Sequence, residues 1–190
     1  FDLKNNKQLL FLIIVGSIPL IVIGYLLYKT NAIYLFRDIR IIAWTTLIFG
    51  ILLYFADKRK LYKNISTDLN LKTIFYIGLF QVLALVPGVS RAGITITAAR
   101  IFKFNRVDAS KISFLLSIPA LAGASTLGLK DILEQNFEFN YLVYLAIISS
   151  FLFSYFTVKF FLIYINKFSL NIFVYYRILM AIILFIIIYN

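Results

Sequence analysis

The stretch Pro87-Gly88-Val89-Ser90-Arg91-Ala92-Gly93-Ile94-Thr95 decides how this chain is built. It sets an arginine, two hydroxyls and two glycines between apolar flanks, Leu79 to Val86 and Ile94 to Ala99. A charge at membrane depth is costly and marks a site by default. Helix geometry fails at Pro87-Gly88, and broken backbone at that depth is tolerated only when it is buried in protein or lines a wet cavity. A helix restarting near Ser90 points free N–H groups into that cavity. Those amides, the guanidinium and the hydroxyls together make an anion-binding site.

Composition supplies the frame. With 62% hydrophobic residues, 18% aromatic residues and a mean hydropathy of +0.93 over 190 residues, the chain lies far outside the range of soluble domains. It reads as an all-α, polytopic integral membrane protein, a single transmembrane domain over residues 1–190. The net charge of +11 does not indicate nucleic acid, because the basic residues fall in short segments between apolar runs. Cysteine and histidine are absent, which removes disulfides, thiol nucleophiles, His-ligated metals and phosphohistidine chemistry. The eight acidic residues, Asp2, Asp38, Asp57, Asp68, Asp108, Asp131, Glu134 and Glu138, all lie outside the apolar spans, a gap for an enzyme. Phe1 to Gln8 lacks the layout of a signal peptide, and the chain is expected to be the C-terminal portion of a longer one.

Apolar runs predict spans at Leu9–Tyr28, Ile41–Ala56, Ile112–Leu129, Tyr141–Ile165 and Ile172–Tyr189. A crossing helix needs about 20 apolar residues. Residues 73–104 are split by Pro87-Gly88 into halves of about 14 and 15 residues, each too short to cross, so a re-entrant helix-loop-helix hairpin is expected there. Charge bias agrees. If Lys58, Arg59, Lys60, Lys63 and Lys72 are cytoplasmic, a hairpin that enters and leaves on that side keeps Arg100, Lys103, Arg106 and Lys111 with them. Lys4, Lys7 and Lys167 then lie inside, and Lys29, Arg37, Arg40, Asp131, Glu134 and Glu138 outside.

A faint repeat points the same way: Ser17-Ile18-Pro19 with Gly24 recurs as Ser117-Ile118-Pro119 with Gly123. Paired repeats that each supply a broken helix to a midplane site are a common membrane design. The chain is then half of an inverted-repeat pair plus part of the other half, and a second hairpin bearing at least two carboxylates is expected upstream of Phe1.

These residues resemble the bacterial undecaprenyl-diphosphate phosphatases of the bacitracin-resistance type. The likeness rests on Pro87 to Thr95 and extends through Ile48-Phe49-Gly50-Ile51-Leu52-Leu53 with Asp57, Gln81-Val82-Leu83-Ala84-Leu85, Ser113 to Pro119 and Tyr176-Arg177-Ile178. It implies a hydrolase of the bacterial cytoplasmic (inner) membrane that removes the terminal phosphate of undecaprenyl diphosphate, recycling the carrier for peptidoglycan and other envelope polymers. Its partners are then the prenyl diphosphate and the bilayer, with no nucleic acid, and a homo-oligomer is left open. A divalent cation, Mg or Ca, comes with the resemblance alone. So do the roles: Arg91, Ser90 and Thr95 as catalytic residues, and Gly88, Gly93 and Pro87 as substrate-binding positions. Two departures stand out. Ala92 replaces the usual second serine, and the family's first motif, a glutamate-rich segment followed by Pro-Val-Ser-Ser and a histidine, is not found.

Each residue also has a plainer reading. Pro87-Gly88 fits an ordinary kink, Ser90 a helix cap, Arg91 a snorkelling cation, and Thr95 and Thr97 bonds to carbonyls one turn back. Arg100, Lys103, Arg106 and Lys111 set topology and touch anionic lipid. A lipid-phosphate transporter or flippase and a catalytically silent membrane subunit remain the alternatives to a phosphatase.

Overall fold

The computed structural model describes residues 3–32, 36–58, 62–134 and 141–189, and it is all-helical. In chain order the helices are α1 (Leu3–Lys29), α2 (Ile39–Asp57), the short α3 (Ile65–Asp68), α4 (Leu71–Val82), which tightens into a 3-10 turn at Leu83–Leu85, α5 (Arg91–Ile101), α6 (Arg106–Glu134), α7 (Tyr141–Lys167) and α8 (Asn171–Tyr189). Among the described residues five helices are long and apolar enough to cross a membrane: α1, α2, α6, α7 and α8. They coincide with the spans expected from hydropathy. The sixth hydropathic stretch is a pair, α4 and α5, separated by residues 86–90. At about 1.5 Å per residue, α4 rises about 18 Å and α5 about 16 Å, both well short of a hydrocarbon core of about 30 Å.

Local chemistry sets the boundaries. Asn70 caps α4 by accepting from the Thr73 amide at 2.9 Å, and Asn105 caps α6 by accepting from the Asp108 amide at 2.9 Å. Helix α6 therefore begins six residues before the apolar run at Ile112. Pro87 cannot continue α4, and it drives the residue before it out of helical geometry, which is why regular structure stops at Leu85. Pro19 and Pro119, by contrast, lie inside α1 and α6. The hydroxyls of Ser17 and Ser117 donate to Ile13 O at 2.8 Å and Phe114 O at 2.6 Å within the same turns.

The hairpin is closed at its base. Lys63 N–H donates to Lys103 O at 3.2 Å and Asn105 N–H to Lys63 O at 3.1 Å, so the chain before α4 is tied to the chain after α5. Beside this tie lies Asp57, 2% exposed at the end of α2. Arg106 grips its carboxylate with Nε at 2.7 Å and Nη2 at 2.9 Å, and the Leu170 amide of the α7–α8 turn donates to it at 3.0 Å. Arg100, 3% exposed, adds Nη2 to the Asp57 carbonyl at 3.0 Å and Nη1 to Phe104 O at 3.0 Å. This corrects the expectation for the basic cluster. Arg100 and Arg106 hold protein together rather than facing lipid, because the carboxylate that neutralises them lies across the base of the hairpin. Lys103 stays exposed, and the exposed Lys111 pairs with the largely buried Asp108 at 3.2 Å. Close by, the Asn64 amide and the Thr67 hydroxyl hold the Asp68 carboxyl below the ordinary carboxylate range. Lys4, Arg59, Lys60, Lys130, Asp131, Glu134 and Glu138, which enter the charge argument, have side chains outside the described residues.

Helix α1 packs along α4, and α6 along α5. The α1–α4 contact is very close, since a Cβ on Gly78 would overlap the backbone of Gly16, and one on Gly16 would meet Ile74 at 2.7 Å and Leu116 at 3.0 Å. Along the α1–α6 contact, Leu116 lies beside Gly16 and Ile21 beside Gly123. Small residues at helix crossings suit a membrane, where apolar burial gives no drive for association and van der Waals contact must supply it. Helix α2 packs along α8, with Trp44 edge-on to Phe185 at 5.0 Å.

Four outcomes follow for unfolding measured in detergent. Asp57→Asn, which leaves two arginines without their counter-charge, costs about 3–5 kcal/mol, whereas Lys111→Ala costs less than about 1 kcal/mol. Gly78→Ala, which overpacks the α1 crossing, destabilises by about 1–3 kcal/mol. Gly128→Ala, with open space around its Cβ, gains up to about 1 kcal/mol of helix propensity.

Candidate functional site

The loop at residues 86–90 is held by its carbonyls. The Thr45 hydroxyl of α2 lies 2.7 Å from Pro87 O, and the Thr46 hydroxyl 3.4 Å from Gly88 O. Arg177, on α8, supplies the stronger hold. Its Nη2 donates to Gly88 O at 2.7 Å, its Nη1 to Val89 O at 2.9 Å and its Nε to Thr46 O at 3.3 Å. Gly50 of α2 makes room for this side chain, since a Cβ there would stand 3.2 Å from Cβ of Arg177. With three successive carbonyls turned toward α2 and α8, the chain reaches Ser90 at φ 67° and ψ 113° and then turns into α5. A positive φ at a non-glycine residue costs about 1–3 kcal/mol and persists only where neighbours enforce it. Here Arg177 and the two threonines do so.

Ser90 caps α5, accepting from Gly93 N–H at 3.2 Å, and its side chain is otherwise exposed. The amides of Arg91 and Ala92, in the first turn, have no intrahelical acceptor and carry the positive end of the helix dipole. Arg91 is half-buried, and its Nη1 is fully buried without a hydrogen-bond partner. This end of α5 therefore carries a guanidinium, two free amides and a hydroxyl.

The residues singled out by sequence divide around α5. Gly88, Ser90, Ala92 and Gly93 line a cavity of about 590 Å³ bounded by α2, α5, α6, α7 and α8, whereas Arg91 lines one of about 560 Å³ between α1 and α6. The first turn of α5 separates the two. Thr95 is fully buried, with its hydroxyl 2.6 Å from that of Ser113 and 2.8 Å from Arg91 O. The structure thus places Thr95 in the α5–α6 packing, lining neither the cavity beside Ser90 nor the one beside Arg91. Thr97 likewise donates to Gly93 O at 2.7 Å. The glycines also give room to neighbouring side chains. A Cβ on Gly88, whose φ is 88°, would strike Thr45 and stand 2.6 Å from Ile42 O, and one on Gly93 would stand 2.9 Å from Nη1 of Arg177. Both make room for the protein's own anchors. Pro87 contributes the helix stop and the carbonyl that meets Thr45.

Arg177 is the functional candidate that residue-by-residue reading missed, although an arginine within the 19-residue apolar run of α8 carries the same signal that marked Arg91. Gln81 is a second: it is fully buried in α4 with both amide atoms unpaired. Among the described residues no group of three or more carboxylates, histidines or cysteines could hold a metal. Asp57 and Asp108 are engaged at the base of the hairpin, away from the loop.

Fold and site together define a polytopic membrane protein with a helix-loop-helix pair whose tip carries an arginine and the N-terminus of α5. The family model for the bacitracin resistance protein BacA matches residues 2–183. The chain is 68% identical over 190 residues to an undecaprenyl-diphosphatase of Pelagibacter ubique, covering all of this chain and 74% of that one. An undecaprenyl-diphosphatase of Elusimicrobium minutum is 41% identical over 182 residues, 96% of this chain and 69% of that one. One from Alteromonas mediterranea is 38% identical over 185 residues, 95% of this chain and 68% of that one. The chain belongs to the BacA family.

Removing the anchor tests the geometry directly. In Arg177→Ala, hydrogen exchange of the amides at residues 88–93 rises at least about tenfold, as expected for the loss of about 1.5–3 kcal/mol of charged hydrogen bonding. Amides in the middle of α1 and α7 keep their rates.

Proposed function

We propose that this chain hydrolyses undecaprenyl diphosphate to undecaprenyl phosphate and inorganic phosphate at the tip of the α4–α5 hairpin, in the bacterial cytoplasmic membrane. The observation that carries the proposal is the unpaired, buried Nη1 of Arg91 beside the free amides that open α5. A guanidinium nitrogen buried without an acceptor is costly, and an anionic oxygen supplies what is missing. The bond-making is simple to state. A water oxygen joins the terminal phosphorus, the bridging P–O bond breaks, and the oxygen it leaves behind departs with the prenyl phosphate.

Transfer of this kind depends mainly on positioning and on stabilising spread negative charge. Arg91 can take two phosphate oxygens in a fork that lysine cannot reproduce. The Arg91 and Ala92 amides meet a further oxygen, and the Ser90 hydroxyl lies at the same helix end. Ala92 contributes no hydroxyl. Among the described residues no group of three or more carboxylates is gathered that could hold a divalent cation.

Re-entry of the hairpin from the cytoplasmic side belongs to the same reading. It is supported by the two short limbs, by the hydrogen bonds that join their bases, and by the gathering of Lys58, Lys63, Lys72, Lys103 and Lys167 at that end. The tip then opens toward the outer face.

The test is phosphate release from undecaprenyl diphosphate by the purified protein in vesicles. Arg91→Lys lowers kcat/KM by about 100-fold or more, the loss expected for one preorganised donor to developing charge. Thr95→Val keeps kcat/KM within about threefold and instead lowers stability by about 1–2 kcal/mol. Lipid translocation without phosphate release would identify a transporter instead.

A further inference from the structure

The base of the hairpin carries a recess of about 620 Å³ on its α1 side, between the start of α1 and the link from α3 into α4. Leu12 and Leu69 lie buried behind it, while Phe11 and Leu71, 55% and 49% exposed, give it an open apolar face. Gln8, Asn70 and Lys72 add polar groups. The span of α1 begins at Lys7, so the recess lies where hydrocarbon gives way to head groups. The 12 residues of α4 set it about 18 Å from the tip that holds Arg91.

Its charge is one-sided. Lys72 lines it, Lys7 directly precedes Gln8, both are exposed, and no described carboxylate lines it. Asp68 is the acid nearest in sequence. Its carboxylate accepts from the Asn64 amide at 2.9 Å and the Thr67 hydroxyl at 2.8 Å, both within or capping α3. Asn70 commits its Oδ1 to the Thr73 amide at 2.9 Å, which leaves Nδ2 as its donor. An apolar face with a cationic, donor-rich rim at the membrane boundary fits an amphiphile with an anionic head.

We propose that this recess binds an anionic diacyl phospholipid, its phosphodiester held by Lys7, Lys72 and Asn70 and its acyl chains laid along Phe11 and Leu71. A zwitterionic lipid brings an ammonium group of its own to the same lysines and gains less. A prenyl diphosphate matches the charge, but phospholipid is the protein's solvent and fills even a weak site by mass action. The bound lipid joins the start of α1 to the entry of α4. The foot of the hairpin is thereby tied to the bilayer as well as to the bundle, and its stability follows lipid composition. None of this depends on the hydrolase reading.

The test uses the unaltered protein in phosphatidylcholine vesicles that contain phosphatidylglycerol. Phosphatidylglycerol and phosphatidylcholine probes carrying the same diazirine near the glycerol are photolysed in turn, and the labelled peptides are mapped. Preferential labelling by the phosphatidylglycerol probe within residues 7–12 and 69–72 supports the site. Equal labelling of these peptides by both probes overturns it, as do phosphatidylglycerol labels no denser there than along the exposed face of α7. Loss of the labels on adding prenyl diphosphate at equal mole fraction assigns the recess to that lipid and also overturns the proposal. Phosphate release by the same preparation reports separately on the hydrolase.

Substitution gives a second readout. Lys72→Gln and Lys7→Gln each lower phosphatidylglycerol labelling of the recess about fivefold, the worth of one lysine near an anionic surface. Lys167→Gln, at the exposed end of α7, leaves it within about twofold. Equal losses from all three variants show general attraction to surface charge and overturn the site.

Discussion

The carboxylate of Asp57 is where the architecture converges. It lies at the end of α2 and receives Arg106 from the start of α6 and the Leu170 amide from the turn into α8, with Arg100 from the end of α5 close by. Three stretches far apart in sequence, around Asp57, Arg100 to Arg106 and Leu170, thus share one negative charge. Burial makes each of these ions expensive alone, so the arrangement is stable only when all members are present. The hairpin depends on it directly. Neither α4 nor α5 is long enough to be held by both faces of a bilayer, and the pair keeps its position because its base is bonded to the rest of the bundle.

From that base the limbs rise to a tip whose polarity is arranged by the backbone. Arg177 draws the Gly88 and Val89 carbonyls toward α8, and Thr45 draws the Pro87 carbonyl toward α2. A chain whose acceptors are all taken up on one side presents donors on the other. The strained geometry at Ser90 is the local cost of that reversal. The arginine that faces the α1–α6 cavity and the arginine that shapes the loop thus have separate tasks despite sharing a neighbourhood.

Much of this was legible in the sequence because bilayers allow so few solutions. Hydropathy located the five spans, and Pro87 located the break. The charge clusters pointed to a hairpin whose ends meet. What the residues could not show individually was partnership. Arg100 and Arg106 look like lipid-facing cations until Asp57, more than forty positions away in the chain, is found between them. Thr95 fits a motif, but helical phase turns its hydroxyl toward Ser113. Gly88 and Gly93 look like openings for a ligand, and they also leave room for Thr45 and Arg177, which a Cβ at either position would meet. Pattern reports the type of group present at a site. Which neighbour occupies the space beside it depends on helix packing, and that is written across several segments at once.

The tip also holds an imbalance. Arg91 and Arg177 bring two permanent positive charges to the hairpin loop, while Asp57 and Asp108 are engaged at the base and Asp38 caps the start of α2. Guanidinium groups do not shed their protons to relieve such a situation, and low-dielectric surroundings screen it poorly. On the reading proposed above, an anion at the tip is more than a ligand, because it is also the counter-ion of these two arginines. The orthophosphate set free there is then itself a competitor for the place it has just left.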